Sequence, residues 1–130
     1  MDQHVHDKTG VAVSVALHTT PPIGAYTVGF DDDDVVAGRA EFVDSTETPG
    51  ERIFFHTEVA EEFGGRGLAG ILVRHALADC LSAGLTVVPV CPLFAAHLRE
   101  HGAQYRADGG VFRRPTPADI ALVTRATDRR

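Results

Sequence analysis

Three short stretches of the chain carry residue types at spacings that suit chemistry. The first is Gly64-Gly65-Arg66-Gly67, followed by Leu68, Ala69 and Gly70, between an apolar run and an apolar helical pattern. A backbone stripped of side chains where a helix begins offers free amide donors and the positive end of the helix dipole. Both favour an anion, phosphate above all. Glycines also permit positive φ and let a ligand approach those amides closely. A glycine-rich connection without a ligand is the plainer reading, and the glycines alone do not choose between the two. The second stretch is His56 and Glu58, two apart at the end of an expected strand, the residue types of general acid–base chemistry. A buried, hydrogen-bonded structural histidine is the alternative. The third is Cys91 before Pro92. Proline suits the first helical position, which makes Cys91 an N-cap, where the dipole can lower a thiol's pKa and raise its thiolate fraction.

The elements that must position these groups can be read in order. Residues 11–17 form one possible strand, followed by His18-Thr-Thr-Pro-Pro22 as a break, so residues 1–24 read as an arm or an added edge strand. Tyr26, Val28 and Phe30 alternate with Thr27 and Gly29, the period of a half-buried strand. Asp31 to Asp34 make a charged turn; a calcium loop would need the glycine and distal glutamate of an EF-hand, which are missing. Residues 35–43 and 52–59 read as the next two strands, joined by loop chemistry at 44–51. Three consecutive strands on short turns form an antiparallel meander. In the third, strict alternation puts Ile53, Phe55, Thr57 and Val59 on one face and Arg52, Phe54, His56 and Glu58 on the other. Phenylalanines on both faces make it central.

A helix is expected over 67–83, with Leu72, Val73, Ala76, Leu77 and Cys80 on one stripe, Asp79 opposite, and Gly84 as C-cap. Cys80 therefore reads as core filling. Residues 85–90 follow as a β-branched strand. Strand, glycine loop, helix, strand is a βαβ crossover, so the strands at 52–59 and 85–90 run parallel. Pro89 cannot donate to a ladder and marks a point where pairing is interrupted or splayed. A second helix covers 93–100, and Thr116-Pro-Ala-Asp119 is a capping box opening a short helix at 117–126. Residues 128–130 are expected to fray. The fold class is α+β, a mixed α/β arrangement.

Bulk properties narrow the function. At 130 residues the chain is one domain, and 44% hydrophobic with 23% charged residues is the composition of a soluble globular protein. No apolar run approaches the roughly 18 residues of a membrane span, and the N-terminus lacks the basic region of a signal peptide, so a cytoplasmic location is expected, with no membrane partner. Two cysteines are no disulfide framework. The net charge of −6 argues against a nucleic-acid partner and fits a cationic substrate. Seven histidines show no metal-site spacing beyond the single pair His97/His101, so no metal is expected.

Three motifs together resemble one family. His56-Thr57-Glu58-Val59, Phe63-Gly64-Gly65-Arg66-Gly67-Leu68-Ala69 and Val88-Pro89-Val90-Cys91-Pro92 occur in the order and at the spacing of the GCN5-related N-acetyltransferases (GNATs). The likeness is to the small single-domain group with His-Thr-Glu-Val and Val-Pro-x-Cys-Pro. It spans residues 25–105, leaving 1–24 and 106–130 as extensions. It implies a three-layer fold whose sheet is split by a V-shaped gap between the strands at 52–59 and 85–90. The pantetheine arm of acetyl-CoA would lie in that gap, bonded to backbone near Glu58 and Val59, with the pyrophosphate on the amides of Gly65 to Gly70. Gly64 stands where the family usually has Arg or Gln, which shifts the holding to the backbone, with Arg66 as a possible charge-assisted donor.

The reaction the resemblance implies is acetyl transfer from the thioester to an amine, such as a protein lysine or a polyamine. His56 and Glu58 would be base or water-relay base, and the Val59 N–H would face the oxyanion. The leaving-group tyrosine of larger relatives is replaced by Phe94, with Cys91 close by. Cys91 then has three readings: acyl-carrying nucleophile, proton donor to the CoA thiolate, or wall residue. An acyl-CoA sensor without turnover is the rival function, and a monomer or weak homodimer is expected.

Overall fold

The computed structural model describes residues 3–31 and 34–130, with side chains from Val5 onward. Asp32 and Asp33, half of the expected acidic turn, lie outside the described residues. Seven strands among these residues form one sheet in chain order: β1 (Gln3–His6), β2 (Ala12–His18), β3 (Gly24–Phe30), β4 (Val36–Asp44), β5 (Glu51–Val59), β6 (Thr86–Pro89) and β7 (Val111–Phe112). Pairing is antiparallel from β1 to β5 and parallel across β5, β6 and β7. The helices are α1 (Leu68–Ala83), α2 (Pro92–Ala107) and α3 (Pro117–Asp128). The expected meander and βαβ crossover are present. The N-terminal segment, open between arm and strand, is a hairpin extending the sheet.

The core has two parts because the sheet is covered on both faces. Tyr26, Phe42 and Phe54 pack with Leu72, Cys80, Phe94 and Leu98 under α1 and α2. The Phe54 and Phe94 rings stack at 4.2 Å and 14°. On the other face Ile53 and Val88 meet Leu122 of α3. Helices, sheet and helix make three layers.

A bulge in β5 changes which side chains share a face. Glu41 pairs with His56 but Phe42 pairs with Phe54, leaving Phe55 as an extra residue. One inserted residue reverses the alternation beyond it. Thr57 and Val59 therefore follow Phe54 onto the α1/α2 face, and His56 and Glu58 point to the α3 side. The expectation of one unbroken alternation, with His56 and Glu58 on the Phe54 face, is corrected here.

Other boundaries moved for local reasons. Gly67, with φ 78°, is the left-handed N-cap of α1, so the helix begins at Leu68 rather than at 67. Helix α2 runs on to Ala107, and Gly102 in it lets Phe112 of β7 pack close: a Cβ there would stand 2.7 Å from the ring. The C-terminus does not fray as expected. Arg130 donates to both carboxylate oxygens of Glu41 at 3.2 Å, and that carboxylate is buried. Asp79, placed on the outer side of α1 by its periodicity, accepts the Tyr26 hydroxyl at 2.5 Å, and Arg52 donates to that same hydroxyl at 2.8 Å while forking onto Asp44. Burial, reinforced by the bond to Asp79, pushes the Tyr26 pKa up. Among the described residues no helix is long and apolar enough to cross a membrane.

Candidate active site

The β5–β6 ladder stops at Phe54↔Pro89, and the Cys91 N–H donates one further bond to the Phe54 carbonyl at 2.8 Å. The β4–β5 ladder continues to Gly38↔Val59. Residues 55–59 thus have a strand partner on one side only, and the sheet opens beyond Pro89. Pro89 has no N–H to give to the ladder, and the chain turns into α2 at Pro92, so the pairing goes no further. The V-shaped split expected between these strands is present.

Beyond the open end of β5 the chain makes one turn of 3₁₀-helix (Glu61–Phe63) and enters the glycine loop. Gly64 is extended, with φ −61° and ψ 153°, whereas Gly65 has φ 80°. Helix α1 has no side-chain cap and no acidic residue in its first turn. Its first intrahelical bond from the loop runs from the Ile71 N–H to the Gly67 carbonyl at 3.1 Å, so helix geometry leaves the amides of Leu68, Ala69 and Gly70 without an intrahelical acceptor. Helix α3 shows the contrast: there Thr116 and Asp119 form a capping box, and the Thr116 N–H reaches the Asp119 carboxylate at 2.7 Å. A donor set of backbone amides at an uncapped helix start, with the cationic side chains of Lys8 and Arg74 lying over Gly67 and Gly70, suits a pyrophosphate.

Arg66 is turned away from those amides. Its guanidinium meets Asp7 at 3.3 Å and lies over the rings of Phe30 at 4.9 Å and Phe63 at 5.8 Å. Asp7 is fully buried and accepts the Thr9 hydroxyl and the Thr9 and Val11 amides. The Thr9 hydroxyl bond leads the effects that hold its carboxyl below the usual range, against the cost of burial.

Across the split, Cys91 is the N-cap of α2, with Pro92 behind it as expected. Its thiol is buried and lies 3.4 Å from the Thr57 hydroxyl. Cys80 is also buried, and burial pushes its thiol up to about 11. His56 and Glu58 are brought together at 3.5 Å and both are half exposed; Arg39 approaches Glu58 at 4.0 Å. The bulge sets this pair on the side opposite Thr57 and Cys91, so the structure joins the base candidates to each other and not to the thiol. Val59 packs against the core cluster and, with Glu58, Arg39 and Gly38, lines a hollow of about 280 Å³ where β4 begins and β5 ends. A larger hollow of about 730 Å³, around Pro21, Pro22, Phe42 and Asp44, lies at the opposite end of β4 and holds none of these groups. Among the described residues no cluster of three or more potential metal ligands occurs.

The model of the GCN5-related N-acetyltransferase family matches residues 25–108, from β3 through α2. The chain belongs to the GCN5-related N-acetyltransferases. The matched span holds the meander, the split, the glycine loop and Cys91, while β1, β2, β7 and α3 lie outside it. Among solved structures, the NMR solution structure of a GCN5-like candidate N-acetyltransferase from Staphylococcus aureus is similar at 22% identity, covering 78% of this chain and 91% of that chain, with a TM-score of 0.46. No curated protein matches the chain. Membership in this acetyltransferase family supports acyl transfer as the general chemistry.

Three residues near the site escape a reading of the sequence. Thr57 stands inside the His-Thr-Glu-Val motif, but unbroken alternation put it on the wrong face to meet Cys91. Asp7 and Lys8 lie in the segment before the family core, and their contacts with the loop span 59 positions or nearly so. No local signal announces such a contact.

Proposed function

We propose that this GNAT is an acetyl-CoA-dependent N-acetyltransferase that moves an acetyl group to an amine, either a lysine side chain or a polyamine. The observation that carries the reading is the conjunction of an opened β5–β6 pair with an uncapped, glycine-led start of α1 at its mouth. The amides of Gly65 to Gly70 would hold the pyrophosphate, and the backbone of Glu58 and Val59 would line the pantetheine arm. The thioester supplies an activated acyl group. Everything else is the work of the chain.

Glu58 and His56 accept the proton of the incoming ammonium, directly or through water, since only the neutral amine attacks. Their half-exposed position suits an acceptor arriving from solvent. The Val59 N–H would donate to the oxyanion. Cys91, buried beside Thr57, would border the sulfur. As a proton donor it would return a proton to the departing thiolate, with the Thr57 hydroxyl orienting the thiol. As a nucleophile it would carry the acyl group itself.

The test is release of free thiol from acetyl-CoA in the presence of a panel of amines, with intact mass measured after incubation without amine. Thiol release that depends on an amine and is lost in Glu58→Gln supports the assignment. CoA binding without thiol release on any amine would replace it with the sensor. A mass gain of about 42 Da, one acetyl group, absent from Cys91→Ala, would mark the covalent route.

A further inference from the structure

We propose that Lys8, carried on the β1–β2 turn outside the family-matched core, supplies the cation that Gly64 leaves missing from the glycine loop and binds the CoA pyrophosphate beside the start of α1. The proposal rests on the CoA reading above. It begins from where the hairpin touches the loop. The Lys8 N–H donates to the Arg66 carbonyl at 2.9 Å, so the turn is bonded directly to the loop backbone. The side chain then lies across Gly67: a Cβ built there would stand 3.1 Å from both Lys8 Cγ and Cε and 3.3 Å from Cδ. The ammonium is one bond beyond Cε. It is therefore held within a side chain's reach of the amides that follow Gly67.

The turn that carries Lys8 is fixed rather than loose. The Asp7 carboxylate is fully buried and accepts the Thr9 amide at 2.8 Å, the Thr9 hydroxyl at 2.7 Å and the Val11 amide at 3.0 Å. The same carboxylate takes Arg66, the only cationic side chain within the loop itself, whose guanidinium is further covered by Phe30 and Phe63. Asp7 thus removes one cation from the loop while its neighbour in sequence offers another. Lys8 is exposed and makes no ion pair among the described residues. Glu61 and Glu62 stand in the turn just before the loop, and the Arg74 guanidinium lies 3.0 Å from a Cβ built at Gly70, so Lys8 over Gly67 and Arg74 over Gly70 are the cations that a phosphate approaching these amides would meet. A lysine acts there as a point charge and needs no bidentate geometry.

A structural role, the stem merely covering Gly67, predicts different behaviour. Lys8→Met keeps the methylene stem and removes the charge; Lys8→Arg keeps the charge. Binding of CoA and of 3′-dephospho-CoA would be measured by calorimetry on the full chain, at low salt and at about 1 M salt, where the Debye length is about 3 Å. The expected result is a loss of about five- to tenfold for both ligands in Lys8→Met, as for one lost charge-assisted bond at an exposed position. Lys8→Arg should stay near wild type, all three proteins should melt alike without ligand, and the difference should shrink at high salt. Unchanged CoA affinity in Lys8→Met would overturn the proposal. So would a loss confined to CoA and absent with 3′-dephospho-CoA, which would move the contact to the 3′-phosphate. Failure of the wild type to bind CoA at all would instead remove the parent reading.

Discussion

Two adjacent glycines in the loop should respond to the same substitution with opposite signs. Gly64 has φ −61° and ψ 153°, a conformation open to any residue, and an added Cβ would meet only the Glu61 carbonyl oxygen, at 3.2 Å. Gly65 has φ 80°, and nothing lies within 4 Å of its added Cβ. In Gly65→Ala the whole cost is therefore torsional, about 1–2 kcal/mol for a left-handed alanine. Each Gly→Ala change also removes freedom from the unfolded chain, which stabilises the fold by about 0.4–1 kcal/mol. Gly64→Ala keeps most of that gain, less a small adjustment at Glu61. Gly65→Ala loses it and ends about 1 kcal/mol less stable than wild type. With an unfolding entropy of about 2.1 cal/mol/K per residue, 1 kcal/mol is about 4 °C in Tm for a chain of this length. Thermal melts should thus separate the variants by about 4–7 °C, with Gly64→Ala the higher. Gly64→Arg, which adds a guanidinium to the loop, should bind CoA up to about tenfold more tightly than wild type, the scale of one charge-assisted bond. Equal melting of the two alanine variants would refute the loop geometry, and a Gly64→Arg protein no tighter on CoA would refute its link to phosphate.

Other expectations follow from features already described. Asp119 has its pKa lowered from 3.8 to about 2, chiefly by the Arg113 bonds and then by Thr116, against burial. A depressed carboxyl stabilises above its unfolded pKa and loses that contribution as pH falls through the folded one; here about 2 kcal/mol should disappear between about pH 4 and pH 2 in urea titrations, and Arg113→Met should flatten that loss. Phe94→Leu gives up the stack on Phe54 and should cost about 1–2 kcal/mol, read as a lower urea midpoint at unchanged m. Glu58→Gln should lower kcat about 100-fold in an assay of free thiol release while the KM for acetyl-CoA stays near wild type; unchanged kcat would remove Glu58 from proton transfer.

The alternating apolar pattern of β3, the glycines around α1 and the residues Pro89 and Pro92 were enough to read the meander, the crossover, the interruption of pairing and the Cys91 cap. Each is a local rule: period, left-handed glycine, missing amide. The arrangement of the site was less legible. A bulge at Phe55 leaves no mark in composition, since a phenylalanine fits either face, yet it decides that Thr57 rather than His56 meets Cys91. Arg66 looked available for phosphate because the carboxylate that takes it, Asp7, lies in a hairpin far away in the chain. The pinning of Arg130 on Glu41 is hidden for the same reason. Long-range polar pairing obeys geometry that one-dimensional spacing does not carry.

The spatial order of the strands, β1 to β7 without exchange, bears on how the molecule is made. Each strand pairs with the one before it, so no strand has to be inserted between two already joined. A chain leaving the ribosome can add its sheet edge by edge, with low loop-closure cost through the meander and two longer closures at α1 and α2. The split needs β6, and so comes into being only after the antiparallel half exists. The β1–β2 hairpin, made before the loop it holds, must wait about sixty residues for it. Opening of the sheet between β5 and β6 is then a late event in synthesis, resting on an antiparallel half that is already paired.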